Sequence, residues 1–141
     1  MEDQDMFGKL LELSQKGYFC SQILILLALE EEEKENPDLV RAMGGLCGGM
    51  GFSGGVCGCL TGGACLLGYY LCKGEDDEME DERANEKIAQ FVRWFEEEAG
   101  GKYGGTACSC ILDGNPANKM TRCPGIVQHT YEKVMEILSE A

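Results

Sequence analysis

The sequence predicts an all-α protein, a compact helical bundle in which a glycine-rich loop leads into a buried central helix. Three observations carry this expectation. Apolar residues recur at helical spacing in several segments, and no segment shows the period-two alternation of a half-buried strand. In addition, 31 residues from Ala42 to Cys72, eleven of them glycine, carry no charge in a chain that is otherwise rich in acids. With 141 residues the chain is expected to form one domain over 1–141, a size at which roughly 70% of the unfolded surface is buried.

The elements follow in order. Phe7, Leu10, Leu11 and Ser14 trace one helical face, and Gly17 is placed as a C-terminal glycine, so the first helix is expected from about Asp3 to Lys16. In "YFCSQILILLALEEEEKENP" an apolar block from Ile23 to Leu29 grades into good helix formers and stops before Pro37, with Cys20 at its start. A short third helix runs from Pro37, a favourable first residue, to about Met43. The glycines then take over, and "GGVCGCLTGG" begins a wholly buried helix at about Cys57. The acidic "KGEDDEMEDE" reads as a solvated turn and helix start; Ile88, Phe91, Val92 and Phe95 then mark a long amphipathic helix with Trp94 near its edge. Gly100, Gly101, Gly104 and Gly105 break the chain. "TACSCILDG" suits a short helix with Thr106 as N-cap, "NPANKMTR" a polar loop, and "CPGIVQHTYEKVMEILSEA" a last helix with proline in its first turn.

The formal charge is −13, with acids gathered at Glu30–Glu35, Glu75–Glu82 and Glu96–Glu98. Such a surface repels nucleic acid and anionic lipid, and the runs read as solvated helix faces. "MEDQDMFGKLL" lacks the basic and apolar regions of a secretion signal, so a cytoplasmic location is expected. The uncharged stretch invites comparison with a membrane span, but its first half has too few bulky apolar groups and too much backbone freedom for a lipid-facing helix. Gly58 and Gly62, four apart, would bare one helix face, either for tight helix packing or for a bulky inorganic cluster.

Nine cysteines in a reducing compartment point to metal binding or thiol redox chemistry, and an odd number cannot pair fully within one chain. Cys20, Cys57, Cys108 and Cys123 each fall at or near an expected helix N-terminus, where unpaired N–H groups and the helix dipole favour thiolate over thiol. Cys47, Cys59, Cys65, Cys72 and Cys110 read as small apolar packing residues. Cys59 and Cys110 are the exceptions to watch, because each neighbours a better candidate. His129 is expected on the surface.

These segments resemble the family of redox-active proteins named for a C_GCAxxG_C_C pattern, with four characteristic cysteines and a CGAxxG motif. "FCSQ" resembles the family's first-cysteine segment, giving Cys20; "GGMGFSGGVCGCLTGG" resembles its glycine-rich loop, giving Cys57, Gly58 and Gly62. "YGGTACSCILDG" aligns on Cys108, and "RCPGIV" supplies Cys123. Cys59 stands where the motif has alanine. The resemblance implies cysteine redox chemistry and supplies no substrate.

The leading expectation is an electron-transfer protein with an iron-sulfur cluster held by Cys20, Cys57, Cys108 and Cys123, with Cys59 or Cys110 as a possible substitute ligand and Gly58 and Gly62 giving it room. Against it, no compact ferredoxin-like spacing occurs. The alternative is a thiol-disulfide oxidoreductase or redox sensor in which Cys57 attacks and a nearby cysteine resolves. Structural zinc would also accept four thiolates, although paired C-x-x-C knuckles are lacking. A redox partner protein is implied but not named, and a homodimer is compatible with the neutral glycine-lined surface.

Overall fold

The computed structural model describes residues 3–140. Its helices are α1 (Asp3–Gln15), α2 (Cys20–Glu31), α3 (Pro37–Met43), α4 (Cys47–Met50), α5 (Gly58–Leu71), α6 (Ala84–Tyr103), α7 (Cys108–Leu112) and α8 (Lys119–Ser139), with short 3-10 turns at Gly44–Leu46 and Pro116–Asn118. Among the described residues there is no strand, and the all-α expectation holds. The single extended pairing is an isolated antiparallel bridge between Val56 and Ala107.

Helix α5 is the hub, packed against α2, α6 and α8. Its smallness on two sides makes this possible. A Cβ at Gly62 would stand 3.1 Å from Ser21 Cα of α2, and one at Gly63 would stand 2.3 Å from Phe91 Cζ of α6. The core around it is formed by Leu24, Ile25, Leu66, Leu67, Phe91, Phe95, Val134 and Ile137, all at most 2% exposed. Where α2 meets α3, the buried Ser21 hydroxyl donates to Met43 O at 2.7 Å, so its polar atom is satisfied inside the core.

Several expectations are corrected. Helix α5 is not wholly buried: Thr61, Cys65, Gly68 and Cys72 lie along one stripe that its neighbours leave least covered, and Cys65 is exposed. Gly100 and Gly101 do not break the chain, since α6 runs through them to Tyr103 and ends on Gly104 at φ 80°. The acidic stretch before α6 stays non-helical to Arg83. Ala107, not Thr106, precedes α7, because the Thr106 carbonyl is already engaged with the Cys57 N–H. The "NPANKMTR" segment is largely helical. Asn115 caps its 3-10 turn by accepting from Ala117 N, and α8 begins at Lys119, leaving Pro124 inside the helix. The acids at the end of α2 are also not purely solvated, for Glu31 and Glu32 accept hydrogen bonds from Tyr131 and Tyr69 at 2.7 and 2.9 Å. No described helix is long and apolar enough to cross a membrane.

Candidate redox site

Three of the four singled-out cysteines do sit where helices begin. Cys20 is the first residue of α2; the preceding Phe19 N–H donates to Gln22 Oε1, and Gln22 Nε2 in turn donates to Val40 O, which fixes how the chain enters this helix. Cys57 is the N-cap of α5, and its sulfur accepts from Cys59 N at 3.4 Å, doing with sulfur what a serine or aspartate oxygen commonly does. Cys108 is the first residue of α7. Cys123 departs from the expectation: because α8 starts four residues earlier, it lies in the second turn and receives no helix-terminal N–H groups.

The Val56–Ala107 bridge holds the second and third of these together. Cys57 N donates to Thr106 O at 2.9 Å and Cys108 N donates to Gly55 O at 2.6 Å, so the bridge ties the two cysteine backbones side by side. The glycine-rich loop that leads there folds on itself. Gly49 is left-handed at φ 78°, and a Cβ on it would meet Gly55 N at 2.3 Å. Met50 and Phe52 are also left-handed, at φ 72° and 59°, and both are exposed. Phe52 stacks edge-on against Phe19 with ring centroids 5.2 Å apart.

Cys20, Cys57, Cys108 and Cys123, from four separate helices, line one cavity of about 480 Å³. Cys59 joins them. The remaining wall is mainly apolar, with Leu10 and Leu11 from α1, Ile23 from α2, and Ile126 and Val127 from α8; Lys119 is the charged residue lining it. The ammonium of Lys119 lies 4.8 Å from the Phe19 ring centre and 5.6 Å from that of Phe52. Gly58 lines the cavity at the Cys20 sulfur, whereas Gly62 lies against Ser21 in the α2–α5 contact. Cys110 faces elsewhere, into a polar depression with Arg122 and His129, and His129 is exposed.

The sulfurs are not equivalent. The Cys59 thiol, 1% exposed, lies beside Cys20 and Cys57 and has one proton to give in a hydrogen bond, to one or the other sulfur. That hydrogen bond is the main reason the Cys20 thiol is brought down to about 7; the N–H groups of Ser21 and Gly48 and the Lys119 charge assist, against the opposing effect of burial. Cys57 is lowered for the same first reason, helped by the N–H groups of Cys59 and Leu60. Cys59 is driven up, because its protonated form is the donor toward Cys20 or Cys57 and because it is fully buried. Burial also raises Cys108, and raises Cys123 to about 12, with the neighbouring thiolates adding to each. Cys20 and Cys57 are therefore the two thiols held below the ordinary cysteine value.

Among the described residues, no group of three or more His, Cys, Asp or Glu side chains is placed to hold a metal ion. A polynuclear cluster makes a different demand, namely thiolates spaced around a volume. Soft, all-sulfur donors on separate walls of one cavity, with N–H groups directed at two of the sulfurs, fit such a group. Lys119 was missed in the sequence, because it lay in a segment read as loop; Cys59, carried there as a substitute ligand for its nearness to Cys57, lines the cavity as well.

A family model described as "Putative redox-active protein (C_GCAxxG_C_C)" matches residues 18–137. No curated protein and no solved structure matches the chain.

Proposed function

The chain belongs to the C_GCAxxG_C_C family of redox-active proteins, and from that premise we propose that it carries an iron-sulfur cluster on Cys20, Cys57, Cys108 and Cys123 and acts in electron transfer. The observation that carries this reading is the meeting of these four cysteines, distant in sequence and borne by four helices, on the walls of one cavity. Bound there, such a cluster supplies one-electron chemistry. The protein's part is to hold thiolates and limit water. The N–H groups at the starts of α2 and α5 stabilise the negative sulfurs of Cys20 and Cys57, and the apolar wall and the Phe19–Phe52 pair reduce solvent access. Lys119 offsets part of the thiolate charge.

Anaerobic purification, followed by an absorption spectrum and iron and sulfide analysis, tests the proposal. Serine at position 20, 57, 108 or 123 is expected to lower iron and sulfide content and the charge-transfer absorption, while Cys65→Ser and Cys110→Ser leave both intact. Retention of a full cluster in both Cys108→Ser and Cys123→Ser would remove the reading.

A further inference from the structure

We propose that the polar depression lined by Lys102, Tyr103, Arg122 and His129 binds a phosphate group, free or carried by a small molecule. It is a second site, about 630 Å³ in volume, and among the described residues it shares only Ile126 with the lining of the cysteine cavity. The proposal is therefore independent of the iron-sulfur reading. Two cations converge on one ring there: the Lys102 ammonium and the Arg122 guanidinium each lie 5.4 Å from the centre of Tyr103. His129 follows Arg122 by two turns along the same face of α8 and lines the same depression.

The charge balance points to an anion. The chain has 25 acids for 12 lysines and arginines, and bases elsewhere take carboxylate partners, Lys9 with Glu30, Arg41 with Asp38 and Lys133 with Glu136. Among the described residues neither Lys102 nor Arg122 enters an ion pair, although the carboxylate of Asp113 lines the same depression. Arg122 is held in place without being neutralised. It is half-buried, its Nη1 donates to Ile111 O in the last turn of α7, and the rest of its donor fork is left for a ligand. Like charges gathered on one ring repel, and a bound oxyanion offsets that repulsion. Phosphate suits this donor set better than a monocarboxylate, because its two charges answer more than one cation and the planar guanidinium can take two of its oxygens at once. The volume falls in the range of small-molecule sites and leaves room for an organic remainder.

The test titrates the full chain with inorganic phosphate and with phenyl phosphate at a pH of about 8, where both are mainly dianions, and follows amide chemical shifts against sodium chloride at matched ionic strength. Both probes are expected to move the amides of Lys102, Tyr103 and Arg122. A lower midpoint for phenyl phosphate would place the ligand among organic monoesters, and equal midpoints would make it free phosphate; either supports the site. Arg122→Gln should weaken binding about tenfold, the scale of a lost hydrogen bond to a charged group. Because that variant also gives up the bond to Ile111 O, the exposed Lys102→Gln serves as the second, with a loss of about threefold. Asp113→Asn should tighten binding, since it removes the opposing charge and asparagine tolerates the left-handed backbone at φ 53°. Shifts no larger than those given by chloride, shifts centred on the cysteine cavity around Lys119, or undiminished binding in Lys102→Gln would overturn the proposal.

Discussion

The sulfur of Cys20 rests against the backbone of Gly58, where a Cβ would lie 2.8 Å from Sγ and 3.1 Å from the carbonyl oxygen of Leu46. Position 58 is thus squeezed between a reactive side chain and an unyielding main chain. Gly58→Ala is expected to push Cys20 away from Cys59 and to cost about 1–3 kcal/mol, the range for forcing a methyl group into a packed region. Urea unfolding would measure the stability loss, and iron content after anaerobic reconstitution would show whether the site still loads.

A neighbouring substitution separates packing from chemistry. Gly63→Ala would set a methyl 2.3 Å from Phe91 Cζ and 3.1 Å from Thr130 Cγ2, and both partners are fully buried. Because nothing there faces the cavity, the expected result is a comparable loss of about 1–3 kcal/mol with the alkylation rate of Cys20 unchanged in the folded protein.

The reactivity of Cys20 should depend on pH with a midpoint near its thiol value of about 7. Thiolate is the nucleophile, so iodoacetamide labelling of Cys20 in the metal-free protein should be fast above that pH and fall as acid is added. Cys59→Ala removes the hydrogen bond chiefly responsible for the lowering, and its labelling midpoint should move upward, toward the value of about 8.5 of a free cysteine. Peptide-resolved labelling across a pH series reads both curves.

Lys119→Gln should shift the same midpoint upward by less, because the charge of Lys119 acts on Cys20 behind the Cys59 hydrogen bond and the N–H group of Ser21. The same change removes an ammonium from between two aromatic rings, a contact that contributes about 0.5–1 kcal/mol at exposed positions. Faster amide exchange around Phe52 is the expected accompanying observation.

The helices were largely legible in the sequence because their apolar faces and punctuating residues agree. Pro37 starts α3 and Gly17 follows α1 at φ 98°, as their residue types imply. Legibility failed where tertiary contacts decide the outcome. Gly100 and Gly101 read as breakers, yet neither meets a geometry that requires leaving the helix, and the chain waits for the left-handed turn at Gly104. Cys123 was singled out for a helix start that begins four residues earlier, because Asn115 caps a 3-10 turn in "NPANKMTR" and Asn118, whose side chain donates back to Leu112 O, leads directly into α8. Its placement on the cavity comes from the packing of α8, which periodicity does not report. Cys59 shows the converse. Its apolar, first-turn setting suggested packing, and it is indeed buried, but its thiol points at two other sulfurs.

The pairing of Val56 with Ala107 pins the glycine-rich loop to the start of α7. Cys57 N and Cys108 N each donate across this pairing, and Ser109 N adds a third bond to Gly54 O. Upstream in the same loop, Met50 and Phe52 sit in a backbone region that side chains resist. A segment strained at two exposed positions and moored at its far end is held in shape by its anchorage rather than by its own conformational preferences.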